Sequence, residues 1–281
     1  LSAIAIILSL FITAVIMLAS GYHPFEAFRA LLDGAFGSRN SMATTLGKTI
    51  PLVFVGLACA YSNRGGLFNI GCEGQLYIGG LAATVTALQM QGMPRALVLA
   101  AAFVTGMLAG GLAGGVTGFL KAKLNINEVL VAIMLNYILK FFASYCVHGP
   151  IQDPKSSVAQ TAAIGDKYML TKLVPKSQLT TAFLIGILLA VLLYLFFSKT
   201  RAGFNIRAVG ENGTAAQASG IGMIKTVIMT MAVSGALAAL TGITEVFGKT
   251  GKFVDGFSPG YGFTGIAVAV LGRNHPVGVL L

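Results

Sequence analysis

Residues 68–80 read FNIGCEGQLYIGG. A carboxylate (Glu73), two amides (Asn69 and Gln75) and a set of glycines sit together in a chain that is 56% hydrophobic and only 10% charged. Soluble domains carry about 25% charged residues. Irregular backbone at membrane depth is tolerated only where it is buried in protein or lines water. The stretch therefore reads as a break between membrane helices. Either it is a turn whose Glu73 caps the next helix, or it is a discontinuous helix on a transport pathway.

The flanking sequence supports the membrane setting. A helix needs about 20 apolar residues to cross a bilayer. Runs of that kind lie at 1–20, 47–62, 74–90, 95–120, 127–147, 179–198, 225–247 and 260–272, with another opening at 277. They predict an all-α, polytopic transmembrane protein of about 8–10 helices with Gly-rich broken segments, and the alternation of a membrane barrel is absent. The break at 65–74 has a weak echo at 251–265, again followed by an apolar stretch, as in transporters built from two repeated halves. Residues 21–41 place Phe25, Phe28, Leu31, Leu32 and Phe36 at helical spacing, which predicts an interfacial amphipathic helix. The 148–178 connector is the longest polar loop, and 199–224 is polar, Gly-rich and partly helical in pattern.

The net charge of +10 comes from scattered Lys and Arg, with no basic run interleaved with aromatics. Anionic lipid headgroups, not nucleic acid, are the expected partner of that charge. Lys and Arg are spread over both sets of connectors, so charge bias does not orient the chain. Cys59, Cys72 and Cys146 fit neither a zinc spacing nor a disulfide framework and are read as small packing residues. The chain is apolar from its first residues without a basic leader, so a cleaved signal peptide is not expected. The two ends read as clipped.

Catalytic patterns are missing. Gly47-Lys48-Thr49 and Gly248-Lys249-Thr250 carry Met42 and Ile243 where a phosphate-cradling loop needs glycine. With nine acidic residues and no acid cluster, chemistry and a metal site are not expected. Residues 105–118, TGMLAGGLAGGVTG, put Gly106, Gly110, Gly114 and Gly118 on one face, which predicts a static, tight helix–helix contact in preference to a sliding one. In 125–145, Asn125 or Asn127 caps a helix whose first turn holds Glu128. Asn136, Tyr137 and Lys140 fall well inside that span. Asn136 reads equally as pathway lining or as an interhelical hydrogen bond, and Lys140 as a snorkelling side chain.

FNIGCEGQLYIGG resembles the FNIGAEGQ-type signature of permease subunits in the ABC importer family shared by branched-chain amino acid, simple-sugar and nucleoside systems. KAKLNINEVLVAIMLNYI (121–138), GFNIRAVGENGTAAQASGI (203–221) and YGFTGIAVAVLGRNHPVGVLL (261–281) agree with it. NEVLVAIMLNY, AVGEN and LGRNHP look most like the nucleoside branch, which is paired with basic-membrane lipoproteins. Cys72 stands where Ala is common.

The resemblance implies one transmembrane permease domain over 1–281, lacking its N-terminal start and last one or two helices, in the bacterial plasma membrane. It implies no catalytic role and no cofactor in this chain, with ATP and Mg bound by a separate cytoplasmic ABC ATPase. Its other implied partners are a second permease subunit and an extracytoplasmic substrate-binding lipoprotein. It also gives 199–224 a task, since the EAA-x3-G coupling element of such permeases matches Ala215-Ala216-x3-Gly220, with Thr214 in the Glu position and Gly210-Glu211-Asn212 leading in. The expected pathway residues are Phe68, Asn69, Glu73, Gln75, Asn136 and Tyr137, whose amides and rings suit a neutral nucleoside. A simple-sugar permease is the closer rival reading, and an ATP-independent channel or facilitator the more distant one.

Overall fold

The computed structural model describes residues 2–281. Among them the chain is helical, with β-structure limited to two isolated bridges, Gln160 with Val254 and Lys172 with Thr180. The elements are α1 (Ser2–Ala19), α2 (Pro24–Phe36), α3 (Arg39–Arg64), α4 (Cys72–Gln89), α5 (Arg95–Leu124) and α6 (Glu128–His148). Then come α7 (Ala182–Lys199), α8 (Arg201–Glu211), α9 (Gly213–Ala218), α10 (Met223–Glu245), α11 (Tyr261–Leu271) and α12 (Pro276–Leu280). Among the described residues, five helices are long and apolar enough to cross a membrane: α3, α5, α6, α7 and α10, the last extended by a π turn to Thr250. Each apolar run read from the sequence falls on a helix.

Two boundaries differ from the sequence reading. The amphipathic helix α2, which buries no side chain, ends at Phe36, and α3 begins at Arg39 instead of 47. Ser38 caps α3 by accepting from Ser41 N at 3.0 Å, so two polar turns precede the apolar part. Asn127 caps α6 by accepting from Val129 N at 2.9 Å, whereas Asn125 ends α5 in the left-handed region (φ 52°). Glu128 then pairs with Lys121 at 2.9 Å across that turn.

The centre of the molecule is α10 with α3, whose apolar windows are 67% and 61% buried, against 22–28% for α5, α6 and α7. Small residues make this possible. A Cβ on Gly114 would lie 2.2 Å from the Met231 carbonyl oxygen, and one on Gly235 would lie 2.2 Å from that of Gly110. The backbones of α5 and α10 thus touch, the tight contact the glycine spacing predicts.

Contacts fix the helix directions. Ser234 and Thr241 on α10 donate to Ala58 O (2.7 Å) and Pro51 O (3.4 Å), so α10 runs antiparallel to α3. Asn69 meets Ser234 and Gly80 packs on Gly242, so α4 runs with α10. Gly56 packs on Val268 and Asn63 donates to Asn274 (2.8 Å), so α11 runs with α3.

The consequence is a pair of inverted breaks. Residues 65–71 leave the end of α3 and turn inward to start α4, while 251–260 leave the opposite end of α10 and turn inward to start α11. The echo between them in the sequence is an antiparallel correspondence in space, the arrangement seen where repeated halves are inverted. The 148–181 connector covers the second break: Thr161 and Ile164 donate to Phe253 O and Gly251 O (both 2.9 Å). At the other end of the molecule lie the Lys121–Glu128 turn, α8 and α9.

Candidate translocation and coupling site

Helix α4 begins inside the protein, so its first amides and the extended residues before it need partners there. Side chains supply them. Asn69 and Gln75 exchange amide hydrogen bonds, Asn69 Nδ2 to Gln75 Oε1 at 2.9 Å and Gln75 Nε2 to Asn69 Oδ1 at 3.2 Å. Asn69 Nδ2 also donates to Ser234 Oγ (2.8 Å), and its Oδ1 accepts from Gly71 N (3.0 Å). From α6, Asn136 Oδ1 accepts from Gly74 N (2.7 Å) while its Nδ2 donates to Ile70 O (2.8 Å). All three amides are buried, with 2–6% of their surface exposed.

Glu73 does not cap its own helix. Its Oε2 accepts from Gly262 N at 2.6 Å, in the first turn of α11. A carboxylate at a helix N-terminus is stabilised by the unsatisfied amides and the helix dipole. A Cβ on Gly262 would lie 2.4 Å from Glu73 N, so only glycine lets the two helix starts approach. One turn along α4, Tyr77 OH accepts from Ser258 N (3.4 Å). The first break therefore holds the second through two hydrogen bonds from α4.

Of the six residues expected on a pathway, four (Asn69, Glu73, Gln75 and Asn136) are gathered at the break with their polar atoms bonded to protein. The other two face outward: Phe68 is 39% exposed and Tyr137 60%. Cys59 and Cys72, remote in sequence, bring their sulfurs to 3.5 Å beside the break and are free thiols. Sequence reasoning missed Ser234, Tyr77 and Gly262, and Asp255 of the second break, whose Oδ2 accepts from Ser144 Oγ on α6 at 2.9 Å. Asp255, a lone acid in a Gly-rich segment between apolar runs, was the most findable.

The 199–224 connector forms two short helices. Asn212 ends α8 and caps α9 by accepting from Ala215 N (3.0 Å). Gly220, at φ +82°, closes α9, with Gly220 N on Gln217 O (2.9 Å) and Ile221 N on Ala216 O (3.0 Å). Ala216 is buried in a small cluster with Leu67, Val209, Val227 and Met231, while Glu211, Asn212, Ala215 and Gly220 stay exposed. A Cβ on Gly210 would lie 2.4 Å from Arg64 O, and one on Gly66 (φ +69°) would lie 3.0 Å from Gly210 Cα. The connector is thus seated on residues 64–67, at the root of the first break.

A polytopic helical protein with two interlocked broken helices, and a helical connector seated on one of them, has the parts of a solute permease. Residues 41–281 match the family described as branched-chain amino acid transport system / permease component, and the chain belongs to that family, as a multi-pass protein of the plasma membrane. It is similar to the nucleoside ABC transporter permease protein NupB of Lactococcus lactis, at 37% identity over 287 residues, 99% of this chain and 79% of that protein. The guanosine ABC transporter permease protein NupP of Bacillus subtilis is 38% identical over 283 residues, 99% of this chain and 80% of NupP. The glucose ABC transporter permease protein TsgB13 of Haloferax volcanii is 32% identical over 288 residues, 99% of this chain and 76% of TsgB13. No solved structure matches the chain.

Proposed function

We propose that this chain is a membrane-spanning subunit of an ABC importer and moves nucleosides across the plasma membrane. The observation that carries the reading is the near full-length likeness to two permeases named for nucleoside and guanosine transport, joined to a break rich in amides and rings. The energy comes from ATP hydrolysed by a cytoplasmic ATPase. A lipoprotein receptor on the far side delivers the ligand, and a second permease subunit completes the path.

Coupling runs through α9. Glu211, Asn212, Ala215 and Gly220 present an exposed edge to the ATPase, while Ala216 and Gly210 rest on Leu67 and Gly66. A push on α9 reaches the root of the first break through the packed cluster around Ala216 and through Gly210 at the end of α8, whose backbone meets those of Arg64 and Gly66. At the break, Asn69, Gln75 and Asn136 hold the start of α4, Glu73 ties it to the start of α11, and Phe68 and Tyr137 offer ring faces to the ligand.

The test is uptake by vesicles holding the complete complex, with competition by guanosine, adenosine and glucose. ATP-dependent nucleoside uptake supports the reading. Competition by glucose alone favours a sugar permease, which the TsgB13 likeness makes the specific rival. Uptake that persists without the ATPase identifies a facilitator.

A further inference from the structure

Helix α6 carries polar residues at every fourth position, Asn136, Lys140, Ser144 and His148, so they share one face. The first of these bonds the first break, through Ile70 O and Gly74 N. Ser144 bonds the second, donating to Asp255 Oδ2 at 2.9 Å, with His148 Nδ1 3.9 Å from the same oxygen. Lys140 lies between them and bonds neither.

Its position is costly. By the rise of an α-helix, Lys140 sits about 12 Å inside the nearer end of α6. A cation at that depth faces protein or a water-filled cavity. Snorkelling does not account for it, because the ammonium reaches across to α4 and lies 5.8 Å from the centroid of the Tyr77 ring. That ring is buried and packs against Phe257 at 4.8 Å, on the second break. Lys140 itself remains exposed, and no carboxylate pairs with it among the described residues. Tyr137 and Phe141 stand beside it, stacked at 6.3 Å and exposed. A donor cation and an aromatic pair thus lie within about one turn of α6 between the two breaks, and the bond from Ser144 to Asp255 lies one turn further on.

We propose that Lys140 contacts the transported ligand, donating to carbonyl or ring-nitrogen acceptors of a nucleoside base whose ring lies against Tyr137 and Phe141. The site rests on the nucleoside reading above and deepens it. A lysine donates to the O6 and N7 of guanine, whereas adenine presents a donor amino group in place of O6. Lys140 therefore favours oxo-bearing bases. Removing the ammonium costs guanosine a charge-assisted hydrogen bond, about a tenfold loss.

The experiment measures guanosine and adenosine uptake by vesicles holding the complete complex with saturating receptor, for wild type and Lys140→Met, with co-purification of the ATPase as the check on assembly. The expected result is about a tenfold lower guanosine rate with a smaller loss for adenosine. Unchanged rates, or equal losses for both, overturn the contact. Absence of any nucleoside uptake by wild type sinks the nucleoside reading itself, a separate outcome. A second measurement does not require an active variant. Lys140→Cys, in a Cys146→Ser background, is treated with a charged, membrane-impermeant methanethiosulfonate. Labelling that guanosine slows several-fold supports the site, and labelling that is absent or indifferent to guanosine overturns it.

Discussion

The two breaks run in opposite directions from opposite ends of the bundle, yet they are held by different means. Residues 65–71 are locked by polar side chains from three directions, the amides of Gln75 on α4 and Asn136 on α6 and the hydroxyl of Ser234 on α10. Residues 251–260 are held by backbone hydrogen bonds to the 148–181 connector and by Ser144 on Asp255. Amide pairs buried at 2–6% exposure leave no room for partial opening, since an unmet buried polar group costs about 1–3 kcal/mol. The first break therefore moves as a unit with whatever moves Gly66 and Leu67. The second can follow its connector, and Glu73 and Tyr77 are the links by which one informs the other.

The largest effect is expected where the connector meets the first break. Gly210→Val places a side chain against Arg64 O and the Gly66 backbone, where even a Cβ would lie 2.4 Å from that oxygen. ATP-dependent uptake should fall to background, and the ATPase should no longer co-purify at the wild-type ratio. Normal uptake would mean that the backbone contact is not part of the transmission.

Next comes the lock itself. Asn69→Leu strands Gln75 and the Gly71 amide and should destabilise the permease by about 2–4 kcal/mol, read as a lower thermal midpoint in detergent. A variant as stable as wild type would contradict the asymmetry between the breaks. Glu73→Gln keeps an acceptor oxygen for Gly262 N and loses the charge at the α11 N-terminus, worth about 1 kcal/mol. Assembly should survive and uptake should drop modestly. Failed assembly would make Glu73 purely a structural pin. Ser144→Ala removes one bond to Asp255 and should cost about 1 kcal/mol, raising hydrogen exchange in 251–260 but not in 65–71.

Much of this was legible in the sequence, and the reason differs by element. Apolar runs of spanning length mark helices whatever the tertiary context, so α5, α6, α7 and α10 stood out. The start of α3 did not, because Arg39–Thr45 is polar and depends on the Ser38 cap. The glycines of α5 announced a close contact but not that α10 would fill it. At the site, Asn69, Glu73, Gln75 and Asn136 were conspicuous as polar groups in a lipid-soluble chain. Their partners were not, since Glu73 and Gly262 are 189 residues apart and meet only when both broken helices are in place. Gly66 and Gly210 likewise reveal their purpose only as a pair, each being the space the other occupies. Residues 199–224 read as an ordinary solvated loop until the resemblance gave them a task.

The central claim is that α9 and the first break move as one body, and relative to the 148–181 connector that covers the second. Paired spin labels in a Cys146→Ser background test it, with Cys59 and Cys72 buried out of reach. The distances are Ala215→Cys to Phe68→Cys, and Phe68→Cys to Val158→Cys on the exposed face of the connector, each measured in the complete complex with and without ATP. The account predicts that the first distance stays fixed and the second shifts when ATP binds. A change in the first with the second constant would contradict it.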